Sequence, residues 1–233
     1  GEPSAVDEQP ADIIDPDTFW QHPVLQSVPN GQRSHAHPNS MLAIVSALNC
    51  LLTNRVRRPD LAEPLTERIW PLGETFLFDL FSSNQTEREH VCAELLCLLG
   101  ALCIRINIDP ICLVNTLYIV ERVVRMGVDF TLPLMRPVTI TALLLACKEH
   151  YDEVVTVGDF QTALPHLQLS RLAAMEHHML WLLGYQVTIF NTQLWHRYAD
   201  GLDDLLHRYR QEIDTFVEIY RAPVNEILGR DVL

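Results

Sequence analysis

The chain has little positive charge and no long apolar run. Lys and Arg number 17 against 30 Asp and Glu, a formal net charge of −13 over 233 residues. Such a chain repels phosphate backbones and anionic lipid, which argues against nucleic acid or a membrane surface as its main partner. A basic protein surface is the natural electrostatic match. The most apolar stretch, "HVCAELLCLLGALCIRI", is interrupted by Glu94. It falls short of the roughly 18 apolar residues that a membrane span requires, and it reads as a buried helix. No membrane contact is encoded in this segment. None of the six cysteines (Cys50, Cys92, Cys97, Cys103, Cys112, Cys147) stands in a C-x-x-C pair. They lie in apolar helical runs, where free cysteine behaves as a small hydrophobe. No signal peptide is visible, so an intracellular setting, cytoplasmic or nuclear, is expected.

Enzyme signatures are also missing. There is no Gly-rich phosphate loop, no G-x-S-x-G and no H-E-x-x-H. His35 and His37 form a "HAH" pair in a proline-rich arm, where a metal site would need ligands from elsewhere. His177 and His178 are adjacent on a helix and point to different faces, so they do not chelate together. Asp203 and Asp204 read as solvated surface acids. The expectation is therefore no enzyme, no cofactor and no metal.

What is present is helical patterning. Residues 1–38 hold six of the fourteen prolines and six acids against one arginine, without apolar periodicity. They read as a flexible acidic, proline-rich arm. Within it, "FWQHPVL" offers Phe19, Trp20, Val24 and Leu25, either to dock on the folded body or as part of a loose tail. Residues 39–58 predict a helix capped by Asn39 or Ser40, with "RVRR" at its negative end. A short amphipathic helix or turn is expected over 73–83. Thr86 and Glu89 spell a capping box. The helix behind it is apolar nearly all round and runs to about Ile104. Asp109-Pro110 starts the next helix, which ends at Gly127. "VDFTLPLMRP" reads as a loop, with Pro137 opening "VTITALLLACKEH". Thr156 caps a brief helix. Ser170 caps "RLAAMEHHMLWLLG", and Gly184 closes it. "QVTIF" reads as an extended link, and two last helices fill about 191–208 and 210–222. The fold expected is all-α, about five helices around the central "VTITALLLAC" helix, with extra N- and C-terminal helices.

Two residues break the pattern. On the helix after Ser170 the apolar stripe is Leu169, Leu172, Ala173, Leu180 and Leu183, and Glu176 falls within it. An acid there is costly unless paired or met by a polar partner. Lys148 leaves an otherwise apolar helix at its C-terminal end, where a cation is favourable. An internal Lys148–Glu176 bridge locking two helices accounts for both.

The run from Thr86 to Leu206 resembles a cyclin box. "TLYIVERVV" is similar to the second box helix, with Glu121 and Arg122 at its acid and arginine positions. "TALLLACKEHYDE" is similar to the third, and "LAAMEHHMLWLLGYQV" to the fifth. The connection "RINIDP", the phrase "YIVERVV" and the tail "TQLWHRYADGL" most resemble the single-box cyclin Y and P/U-type, phosphate-pathway groups. The division implied is an arm at 1–38, an N-terminal helix and linker at 39–85, the box at 86–188 and C-terminal helices at 189–233. The resemblance implies a non-catalytic regulatory subunit of the cell-cycle regulator family. Such a subunit binds a cyclin-dependent serine/threonine kinase, of PFTAIRE/PCTAIRE-like or phosphate-pathway type, through the kinase's αC helix and activates it. It also implies a kinase-facing role for Lys148 and Glu176, flanked by Glu149, Asp152 and Glu153. Glu121 would be the structural acid of the second box helix. Many cell-cycle cyclins pair that acid with an arginine of the first helix, but here that helix has only Arg88 and Arg105, at its ends. A DNA-binding variant of the fold is opposed by the charge of −13. A helical scaffold or adaptor without kinase activation is the alternative.

Overall fold

The computed structural model describes residues 38–53, 57–65, 86–151, 155–165, 167–188, 192–229 and 231–233. The "FWQHPVL" segment, the expected 73–83 helix, Asp152 and Glu153 lie outside these residues. The described structure is all-α. Its helices are α1 (Pro38–Leu51), α2 (Pro59–Ala62, continuing into a 3₁₀ turn at Glu63–Leu65), α3 (Glu87–Ile106), α4 (Pro110–Arg125), α5 (Leu132–His150), α6 (Val157–Ala163), α7 (Leu169–Leu182), α8 (Thr192–Arg208) and α9 (Arg210–Leu228).

Local chemistry sets several of these boundaries. Thr86 Oγ1 accepts from the Glu89 amide at 3.3 Å, and the Glu89 carboxylate accepts from the Thr86 amide at 2.8 Å, so the capping box of α3 forms on both sides. Asn107 ends α3 in the left-handed region at φ 52°. The Asp109 carboxylate accepts from the Ile111 amide, and Pro110 occupies the first turn of α4 without losing a hydrogen bond. Thr156 and Asp159 build a second capping box for α6.

The central position belongs to α5, as the all-round apolar sequence predicts. Every residue from Pro137 through Cys147 is buried, and α5 packs against α3, α4 and α7. Thr139 and Thr141 are fully buried, and their hydroxyls donate to the carbonyls of Met135 and Pro137, four residues back. A second layer is organised by α1, which lies against α3, α4 and α8, while α9 packs along α3. Gly100 permits that last contact: a Cβ there would stand 2.6 Å from Leu228 Cδ1.

Four expectations need correction. The first helix ends at Leu51 rather than continuing to residue 58. The Thr53 amide instead donates to the Phe130 carbonyl, and the Arg57 and Arg58 amides donate to the buried Asp129 carboxylate. Those two amides hold the Asp129 carboxyl below the usual carboxylate range. The central helix begins at Leu132, with Pro133 in its first turn and Pro137 inside it, so part of the expected loop is helical. Helix α7 begins at Leu169 with Gln168 before it, so Ser170 is not its cap. Its buried stripe is Leu172, Met175, Met179 and Leu183, while Leu169 and Ala173 are exposed. The last helix runs on to Leu228 through Pro223.

Candidate functional site

The C-terminal end of α5 is where the unusual residues meet. Lys148 is the only lysine of the chain. Its Nζ lies 2.5 Å from Glu176 Oε1 on α7, with the two side chains 33% and 13% exposed. Glu176 sits beside the apolar stripe of α7, one position past Met175, so its carboxylate emerges at the edge of the core. The bridge is thus half-covered: close enough to form, and open enough to be reached from outside.

The backbone that carries Lys148 is held in place by its neighbours. Glu149 Oε1 accepts from the Thr188 hydroxyl at 2.5 Å, which ties α5 to the segment after α7. His150 lies 3.7 Å from the Asp109 carboxylate. The Tyr151 hydroxyl accepts from the Asp109 amide at 2.6 Å and lies 3.2 Å from the Asn107 carbonyl. Burial pushes the Tyr151 phenol up. Below this end, Cys147 and Cys112 are buried and their thiols are in contact. Burial also lifts the Cys103 thiol to about 12, so that thiol stays protonated and serves as packing. Four consecutive residues therefore each make a defined contact: Lys148 with α7, Glu149 with the segment after it, and His150 and Tyr151 with the turn at Asn107–Asp109.

Glu121 is not part of that surface. Its carboxylate pairs with Arg125 one turn on, at 3.1 Å, and accepts from the Tyr198 hydroxyl of α8 at 2.5 Å. The Tyr198 phenol is pushed up by burial and by that carboxylate. Neither arginine of α3 reaches it. Arg88 bonds the side chain and carbonyl of Asn49, and Arg105 donates to the Ala163 carbonyl at 3.2 Å. Arg122 donates to the carbonyls of Leu183 and Gln186, satisfying the C-terminal end of α7 with a cation.

A buried ion pair does join the first helix of the expected box to another helix, but with other residues and the charges exchanged. Glu94 of α3 pairs with Arg136 of α5, at side-chain exposures of 3% and 13%. The sequence shows Glu94 only as an interruption in an apolar run. Its partner stands in the stretch that reads as a loop, so nothing in the sequence brings the two together.

Among the described residues, no group of three or more His, Cys, Asp or Glu side chains is placed to hold a metal ion. No helix of those residues is long and apolar enough to cross a membrane.

Residues 75–188 match the family model for the cyclin N-terminal domain. The match covers just under half of the chain and supports a cyclin relationship. It spans Lys148, Glu176 and the helices that carry them. No curated protein and no solved structure matches the chain.

Proposed function

We propose that this chain is a non-catalytic regulatory subunit that binds a cyclin-dependent protein kinase through the kinase's αC helix and activates it. In this reading residues 86–188 form a single box of the cyclin Y or phosphate-pathway type, with 39–85 and 189–233 as flanking helical additions. Lys148 and Glu176, with Glu149, Asp152 and Glu153, face the kinase. The observation that carries the proposal is the half-covered Lys148–Glu176 bridge, set at the end of a helix whose final residues and cap are each tied down. A partner meeting this surface encounters charges already positioned, so little side-chain entropy is lost on binding. The chain supplies no chemistry. Its effect on the kinase is a bias between two arrangements of the kinase's own αC helix and activation loop.

The first experiment is capture of kinases by the recombinant chain, with identification by mass spectrometry. Because Lys148 is the only lysine, amine acylation followed by peptide mapping then reads this one side chain. The captured kinase should slow acylation of Lys148 and gain activity on a peptide substrate. Capture of a kinase that leaves Lys148 equally reactive would remove these residues from the interface. Capture without a gain in activity would favour a helical scaffold or adaptor.

A further inference from the structure

A groove of about 520 Å³ opens between α1, α4 and α8, away from the Lys148–Glu176 surface. Its floor is apolar: Ala47 and Leu51 from α1, Leu117 from α4, and Leu202 and Leu205 from α8. Its rim carries two arginines. Arg125 is engaged with Glu121. Arg197 is exposed and has no ion-pair partner among the described residues. In a chain of net charge −13, an unpaired guanidinium beside an apolar floor is a local exception. It fits a segment that alternates acids with large apolar side chains.

The chain contains such a segment. Residues 12–20 read "DIIDPDTFW", three acids interleaved with Ile13, Ile14, Phe19 and Trp20 and no cation. We infer that residues 12–20 of the chain's own N-terminal arm dock in the α1–α4–α8 groove, with their acids toward Arg197. The connection is geometrically easy. The arm enters the described structure at Pro38, the first residue of α1, and α1 itself forms one wall of the groove. The 17 residues between Trp20 and Pro38 reach up to about 55 Å when extended, at about 3.3 Å per residue. Helix α1 is only about 21 Å long, at 1.5 Å per residue. Docking within one chain also acts at a high effective concentration, which favours a weak contact.

Charge selects this groove over its neighbour. On the other flank of α1 a groove of about 330 Å³ is lined by Leu42, Val45, Arg88, Glu89, Glu212 and Phe216, among others. There the single cation is already bonded to Asn49 and two acids share the rim. An acidic segment is repelled from that side.

Cys50 gives a native reporter. It lines both grooves and is exposed, whereas the other five cysteines are buried, so the variant at Arg197, which lines the α1–α4–α8 groove alone, assigns any protection to that groove. The experiment measures the rate at which neutral N-ethylmaleimide alkylates Cys50 in the full chain. A groove covered about nine-tenths of the time gives a rate roughly tenfold below that of the open groove, the opening equilibrium setting the rate. The double variant I13D/I14D and the variant R197E should each approach the open rate with an unchanged melt. Adding D15R and D17R to R197E should restore protection. A peptide of residues 10–22 added to the I13D/I14D chain should restore it as well. Equal Cys50 rates in the parent, I13D/I14D and R197E chains would overturn the proposal. Protection that grows with chain concentration would also overturn it, by assigning the cover to a second copy.

Discussion

Helix α5 makes an ion pair near each of its ends, and the two differ mainly in burial. Toward its N-terminus Arg136 meets Glu94 of α3 with the acid 3% exposed. At its C-terminus Lys148 meets Glu176 of α7 with the lysine 33% exposed. Both pairs join the central helix to a neighbour and both place the cation on α5. In the first, the acid is shut off from water, so Glu94 depends on Arg136 for its solvation. In the second, water shares the work, so the bridge contributes little to stability and remains free to be re-partnered. The same chemistry thus serves assembly at one end and, in our reading, recognition at the other.

The largest effect expected is at the buried end. Arg136→Ala should destabilise the fold by about 3–5 kcal/mol, because Glu94 is left charged and unpaired. Denaturant unfolding measures this directly, and a loss below about 1 kcal/mol, the level of a surface bridge, would erase the contrast. Replacing both members by apolar residues, as in E94L/R136M, should recover most of the loss, since buried pairs often trade evenly against packing. Thr86→Ala should cost about 1 kcal/mol by opening the capping box of α3. That value compares a neutral helix end with the ion pair two turns further along the same helix. Lys148→Ala should change stability by no more than about 1 kcal/mol in the free chain; a larger loss would make that bridge structural as well.

The pH response should come from a third set of carboxylates. The Arg57 and Arg58 amides hold Asp129 below its ordinary range, and the hydrogen bonds of the two capping boxes hold Glu89 and Asp159 there. Each of these groups titrates lower in the folded chain than in the unfolded one. Their contribution is therefore complete above the ordinary carboxylate range and is lost as the pH falls through the lowered values. Melts recorded from pH 6 downward should show a gradual loss of stability that Asp129→Asn makes shallower.

Legibility in the sequence depends on distance along the chain. The capping box at Thr86, the cap at Thr156 and the Asp109-Pro110 start are local, and the structure has them where the residues place them. The central role of α5 follows from an apolar surface on all sides. Lys148 and Glu176 stand out because each breaks a helical pattern, and they do meet. The start of α5 is obscured because Pro137 is an ordinary opening signal, whereas Pro133 has already provided one. Starting the helix at Pro137 leaves Arg136 outside it, and with it the partner of Glu94. The early end of α1 is set by Asp129, more than seventy residues away in sequence from the amides it binds. Arg122 under the end of α7 and Tyr198 on Glu121 are likewise products of tertiary packing. Asp152 and Glu153 lie outside the described residues and remain part of the proposal.

A charge-swap cycle at the exposed end decides whether that bridge faces a partner or serves only the fold. K148E, E176K and the double swap are titrated against the captured kinase, with melts recorded in parallel. Each single variant should lose about 2–5 kcal/mol of binding free energy, the usual cost of removing one member of a desolvated interfacial charge contact, while its melt shifts little. The double swap should restore the bridge and fail to restore binding, because the kinase surface has not changed. Unchanged affinity in both single variants, or full recovery of affinity in the double swap, would show that Lys148 and Glu176 serve only each other.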